Sequence, residues 1–154
     1  MNNINELHSE AMDLTELALL EKRKKNLSKA QELFAKAYQL EKQAAIQMID
    51  QYEIEPTRSV LFKSAACLAL DIGDYREAER MIAFALSGNP PHEIAVELRE
   101  ILNEINQHRL DLETIESQTI FNQFEKLPTH LKQEAANYIG YLLQRANTSM
   151  VGRL

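Results

Sequence analysis

Cysteine, tryptophan, glycine and proline are all scarce in this sequence of 154 residues. The single cysteine, Cys67, has no partner for an internal disulfide, so a disulfide scaffold is excluded and a reducing compartment is expected. Four glycines and four prolines provide few chain breaks, and 45% of the residues are hydrophobic. This composition is typical of a folded helical protein and not of a disordered one.

Long apolar runs and a strong charge of one sign are absent as well. No stretch approaches the roughly 18 to 20 apolar residues that cross a bilayer, and the first residues lack the basic and apolar parts of a signal peptide. We therefore expect a cytoplasmic protein that binds no membrane. The net charge is −6 and the basic residues are scattered, so nucleic acid is not an expected partner.

Apolar residues recur at three- and four-residue intervals, which predicts an all-α protein of about seven helices. The first helix is predicted over residues 4–24, with Asn26 in a left-handed cap and Ser28 opening a long second helix. Gly73 is expected to close the third helix in a left-handed conformation. Asp74 then caps the fourth, and Glu77 is expected to complete a capping box by reaching back to the Asp74 amide.

Residues 108–114 break this period and predict a linker or a short turn. Residues 108–154 carry five basic and five acidic residues, whereas the rest of the chain is acidic. Both observations indicate a boundary near residue 108. We expect a helical body over residues 1–107, a C-terminal helical hairpin over residues 112–146 and a frayed tail over residues 147–154.

An internal repeat relates the second and fourth predicted helices. Small and larger apolar residues recur at identical spacings in the two helices: Ala30, Phe34 and Ala37, then Ala78, Ile82 and Ala85. Small alanines let antiparallel helices approach closely, and the larger residue fills the remaining space. The pattern therefore predicts antiparallel helical hairpins.

Residues 57–91 resemble a tetratricopeptide repeat. The matching positions lie on both helices, at the turn and at the end: Phe62, Ala65, Ala66, Gly73, Tyr75, Ala78, Ala85 and Pro90. Residues 11–42 look like a degenerate copy, 48 residues away when measured from Ala30 to Ala78, against roughly 34 for a standard repeat. The resemblance implies a right-handed array of hairpins. The run from Glu55 to Leu61, with residues 64–66, 73–91 and 93–95, also looks like an uncharacterised bacterial family of small tetratricopeptide-like proteins, which implies no activity.

Residues 115–146 are similar to a second, shorter bacterial helical module. The matching residues lie around Pro128 and along the last predicted helix: Phe124, Leu127, Pro128, Leu131, Tyr138, Ile139, Leu142 and Leu143. That module is often found next to toxin genes in the manner of an antitoxin. The resemblance implies a regulator that acts through its C-terminal hairpin.

Catalytic and metal-binding motifs are missing from the sequence. The four histidines lie in separate segments without a second ligand at helical spacing, and there is no glycine-rich phosphate loop or nucleophile elbow. We expect no enzyme activity, no metal and no cofactor. Cys67 lies within an apolar helix, where a cysteine is more often a small buried hydrophobe than a nucleophile.

Two sets of residues are candidates for partner binding. The tetratricopeptide resemblance implies a concave wall formed by Arg58, Lys63, Cys67 and Asp71, where a peptide carboxylate would meet a basic side chain. The alternative is a solvated face that the C-terminal helices touch. Tyr138, Tyr141 and Leu142 form either part of the core or a homodimer seam.

The function predicted from these features is a non-enzymatic scaffold that binds a protein or peptide partner, with a homodimer as one assembly it can form. The alternative is an antitoxin-like regulator whose hairpin sequesters a partner or assists contact with DNA.

Overall fold

The computed structural model describes the backbone of residues 3–151 and the side chains of residues 3–148. Within that range the chain is all-α and contains no strand, which confirms the all-α part of the predicted fold. The six helices are α1 (Ile4–Arg23), α2 (Leu27–Gln47), α3 (Thr57–Asp71), α4 (Tyr75–Leu86), α5 (His92–Glu125) and α6 (Thr129–Val151).

The prediction of a linker at residues 108–114 is wrong, because α5 continues through it and joins the predicted fifth and sixth helices into one. Neither glycine nor proline lies in this segment to end the helix, and Thr114 Oγ1 donates to the Leu110 carbonyl one turn earlier, at 2.9 Å. In the region of the expected frayed tail, α6 continues to Val151. Residues 152–154 lie outside the described range.

The turn between α1 and α2 differs from the prediction by one residue. Lys25 takes the left-handed conformation, with φ of 63°, and Asn26 does not. Asn26 precedes α2 without a capping hydrogen bond, since its side-chain amide donates to Glu21 Oε2 at 2.9 Å. α2 consequently begins at Leu27, ahead of Ser28.

The turn between α3 and α4 follows the prediction in two of three respects. Gly73 has φ of 78°, in the region that favours glycine, and Asp74 Oδ1 accepts from the Glu77 amide at 3.0 Å. The reciprocal half of the capping box is absent. The Glu77 carboxylate instead accepts from Tyr38 and Lys42 of α2, each at 2.5 Å, so a contact between helices replaces a local one.

The chain divides into two units, Met1–Gln107 and His108–Leu154. In the first unit α1 packs on α2, α2 on α3 and α3 on α4. All six positions of the internal repeat are buried there. The alanines place few atoms between the helices, while Phe34 and Ile82 remove large apolar surfaces from water, each worth about 1.5 to 3 kcal/mol.

Arg58, in the first turn of α3, is fully buried at the centre of this unit. Its guanidinium donates to the Ile49 carbonyl just beyond α2, at 3.0 and 3.2 Å, and to the Phe84 carbonyl in the last turn of α4, at 2.9 Å. A longer contact of 3.5 Å reaches the Ala85 carbonyl. One cation thus donates to carbonyl groups at the ends of two helices, where the helix dipole favours positive charge.

The aromatic and acidic neighbours of Arg58 complete its surroundings. The guanidinium carbon lies 4.7 Å from the Tyr52 ring centre and 5.2 Å from that of Phe62. Glu55 Oε1 lies 4.0 Å from Arg58 Nη1, and Glu55 Oε2 accepts from the Ser59 amide and hydroxyl. Ring faces and one carboxylate therefore offset the cost of burying the charge.

Replacing Arg58 by methionine should destabilise the protein by about 3 to 5 kcal/mol, because Glu55 and the carbonyls of two helix ends would stay buried without their cation. Urea-induced unfolding followed by far-ultraviolet circular dichroism measures the loss. Arg76→Met is the matched control, since the Arg76 side chain is 80% exposed, and should change stability by less than about 0.5 kcal/mol. Equal effects of the two substitutions would contradict the role given to Arg58.

Gly88 and Gly140 provide a second matched pair. A Cβ atom at Gly88 would lie 2.4 Å from Arg58 Nη1, whereas one at Gly140 would meet nothing within 4 Å. Gly88→Ala should cost about 1 to 3 kcal/mol, because the buried guanidinium cannot move without losing its carbonyl partners. Gly140→Ala, inside α6, should gain up to about 1 kcal/mol from helix propensity. Thermal unfolding of the two variants tests the contrast, and a neutral Gly88→Ala would show that Arg58 can move freely.

Candidate functional site

A buried carboxylate and a half-buried imidazole meet where α1, α2 and α3 come together. Glu41 of α2 is fully buried, and both of its carboxylate oxygens lie within 3.0 Å of His8 Nδ1 on α1. Ser64 of α3 hydrogen-bonds to the same carboxylate. Glu41 therefore fixes the orientation of the His8 ring while it links three helices.

His8 also borders a groove of about 210 Å³ between the first turns of α1 and α3. The remaining lining is mostly apolar: Ile4, Asn5, Pro56, Thr57, Val60 and Leu61. An imidazole oriented by a buried carboxylate can donate or accept one hydrogen bond at the edge of such a groove. The arrangement suits a polar group of an otherwise apolar peptide, and none of the side chains that line the groove is a serine or cysteine nucleophile.

Burial raises the pKa of the Glu41 carboxyl, and the hydrogen bonds from His8 and Ser64 lower it only in part. Sequence reasoning missed this pair. His8 and Glu41 are 33 residues apart, and Glu41 interrupts an apolar stripe of α2. That single carboxylate at a core position was the available signal, but nothing in the sequence connects it to His8.

The predicted wall of Arg58, Lys63, Cys67 and Asp71 does not form as one surface. Arg58 is in the core, so its assignment to a partner-binding surface is wrong. Lys63, Cys67 and Asp71 follow one another at four-residue spacing along α3, and Lys63 forms an ion pair with Glu97 of α5. The basic group predicted to meet a peptide carboxylate already has an acidic partner.

Cys67 is exposed, which corrects its prediction as a buried hydrophobe. The surrounding protein nevertheless desolvates the thiol and raises its pKa, and the carboxylates of Asp71, Glu97 and Glu104 raise it further. A thiol with a raised pKa is a poor nucleophile at neutral pH.

A second surface with unusual properties lies in the unit that begins at His108. Its residues 108–148, called here the docking segment, contain no buried side chain. The large apolar side chains of this segment that are between 37% and 66% exposed are Leu110, Leu112, Ile115, Ile120, Phe121, Leu131, Tyr138, Ile139, Tyr141, Leu142 and Leu143. The two helices thus present an apolar surface to water and do not enclose a core of their own.

Among the described side chains of the docking segment, only those near the connection between α5 and α6 are partly covered. These half-buried residues are Phe124, Leu127, Lys132 and Ala135. Lys132 Nζ lies 3.5 Å from Glu125 Oε2 and 6.0 Å from the centre of the Phe124 ring. The rest of α6 is open to solvent as far as Thr148.

Tyr138, Tyr141 and Leu142 are all exposed, so the alternative that they form a monomer core is wrong. The Tyr138 and Tyr141 ring centres are 6.4 Å apart and the rings are inclined by 29°. The Arg145 guanidinium carbon lies 5.7 Å from the Tyr141 ring centre. Tyrosine and arginine side chains in this arrangement are enriched at the energetic centres of protein interfaces.

The described residues form neither a metal site nor a membrane-spanning helix. Among the residues whose placement is described, no group of three histidine, cysteine or acidic side chains could hold a metal ion. Over the same part of the chain, no helix combines the length and hydropathy needed to cross a bilayer.

The sequence matches no protein-family model, and searches of the curated proteins and of the solved structures find no match. The resemblances to tetratricopeptide repeats and to the antitoxin-associated module stay predictions.

The pKa of Glu41 predicts how stability depends on pH. Above the ordinary glutamate pKa of 4.5, the folded state keeps the Glu41 proton at pH values at which the unfolded state has lost it. The contribution of Glu41 to the free energy of unfolding therefore falls as pH rises through this range. Glu41→Gln should therefore become more stable relative to the native protein between pH 4 and pH 7. Urea unfolding at several pH values measures the difference.

The control for this experiment is Glu10→Gln, an exposed carboxylate on α1, which should change stability by less than about 0.5 kcal/mol. A Glu41→Gln variant that loses stability relative to the native protein as pH rises would reverse the expected sign. It would mean that the contact with His8 outweighs the cost of burial.

Proposed function

We propose that this protein is a non-enzymatic scaffold whose helical body carries the docking segment, residues 108–148, as a surface that binds a protein partner. The observation that supports this function is the exposure of eleven large apolar side chains in a segment that buries none. Exposed apolar surface of this extent is typical of interaction sites.

The contrast with the body supports the same proposal. The body buries a continuous apolar core, from Leu7 of α1 to Ile105 of α5. The docking segment has no such core, which supports a binding partner as the source of its apolar burial. Each Å² of apolar surface that a partner removes from water contributes about 25 cal/mol.

The groove beside His8 is a second, smaller contact site of this scaffold. It accommodates an apolar side chain of a peptide, and the imidazole offers one hydrogen bond to a neighbouring polar group. Its size suits an auxiliary contact and not the main interface.

The alternative function is an antitoxin-like regulator that acts through the same segment. The exposed apolar side chains favour it equally, since sequestration also requires a surface that the partner covers. The two functions differ in the identity of the partner: a regulator binds one toxin-like protein, whereas a scaffold holds its partner without inhibiting it.

Photo-crosslinking in cells tests the docking segment directly. p-Benzoylphenylalanine is introduced in place of Phe121, which is 57% exposed, or of Ile139, which is 52% exposed. Irradiation should give a defined covalent adduct from both positions, because a bound partner would cover them. Mass spectrometry then identifies the adduct.

The matched control is the same substitution at Leu27, which lies on the body and is 66% exposed. It should give no adduct of the same mass, because exposure of an apolar side chain does not by itself produce a specific contact. If neither position of the docking segment yields an adduct while the full-length protein is folded, the proposed function is wrong.

A further inference from the structure

An apolar row follows one face of α6, in which Leu131, Tyr138 and Leu142 are exposed and Ala135 is half-buried. Leu131, Ala135, Tyr138 and Leu142 follow at spacings of four, three and four residues, which keeps them on one face of the helix. Glu134, Tyr141 and Arg145 lie seven and four residues apart and flank this face on one side. We call these seven residues the α6 stripe.

We propose that the α6 stripe binds a second copy of this chain, with the two α6 helices antiparallel. This inference rests on the proposed function, because it names the protein that the docking segment binds. The pattern of an apolar row at alternating spacings of three and four residues is the one that pairs helices side by side.

The positions of the charges support an antiparallel pair. Glu134 lies four residues before Tyr138, and Arg145 lies four residues after Tyr141. When Tyr138 faces Tyr141 of the second copy, the same register brings Glu134 to Arg145 of that copy. The two-fold symmetry produces this ion pair twice, as an isologous interface requires.

A parallel pair lacks this complementarity. It would place Glu134 against Glu134 and Arg145 against Arg145, and like charges across an interface are unfavourable.

The net charge of the unit also fits a second copy. Residues 108–154 carry five basic and five acidic residues, so their net charge is zero. The whole chain has a net charge of −6, which therefore lies in residues 1–107. Two copies that meet through α6 therefore bring together units of zero net charge, which do not repel each other.

Charge exchange across the pair provides the experiment. The full-length native protein should sediment, at concentrations on the order of 10 to 100 μM, with a mass twice the 17.7 kDa of one chain. Glu134→Arg alone, or Arg145→Glu alone, should raise the dimer dissociation constant about tenfold or more, because two like-charged pairs result. The double variant E134R/R145E restores the opposite charges and should recover most of the affinity.

Gln133→Arg is the control for added charge, since position 133 is one residue from Glu134 but lies off the stripe. It should leave the dimer intact, and far-ultraviolet circular dichroism should show equal helix content in all four variants.

A native protein that stays monomeric overturns the inference. A dimer that the single charge changes do not weaken, or that the double variant does not recover, overturns the register. The inference and the proposed function can fail separately. If the native protein is a monomer but crosslinks to another protein through Phe121 and Ile139, the proposed function stands and the second copy as partner is wrong.

Discussion

A buried guanidinium joins three segments of the body, and the packing of α2, α3 and α4 depends on its position. Arg58 reaches the carbonyl groups that follow α2 and that end α4, so the two helix ends must lie within hydrogen-bond distance of the start of α3. Close approach at Gly88 allows this arrangement, because a side chain there would occupy the space of the guanidinium. The charge is tolerated inside the protein because Glu55 and two aromatic ring faces lie against it.

Two carboxylates make further polar contacts between the helices of the body. Glu41 connects α2 to His8 of α1, and Glu77 of α4 accepts from Tyr38 and Lys42 of α2. The hydrogen bonds from Lys42 and Tyr38 lower the pKa of Glu77, whereas burial raises that of Glu41. The contributions of the two carboxylates to folding stability therefore change in opposite directions as pH rises. Apolar burial supplies most of the stability of the body, and these polar groups fix which helix faces meet.

The docking segment obeys a different constraint. Its helices are continuous and well formed locally, yet their apolar side chains remain in water. A helix needs only local hydrogen bonds to form, whereas a core needs a second apolar surface to cover the first. Our proposal that a second copy supplies this surface gives a physical reason for the amphipathic pattern of α6.

The sequence by itself determined the all-α class, the course of most helices and the turn at Gly73 and Asp74, because periodicity and capping depend on neighbours within one helical turn. It also marked Tyr138, Tyr141 and Leu142 as either core or seam, and only the tertiary structure decided that they are exposed. The burial of Arg58, the contact of His8 with Glu41 and the outward position of Cys67 were likewise decided by the tertiary structure. These properties depend on contacts between helix faces that are tens of residues apart in the sequence, and local sequence patterns do not show which faces will meet.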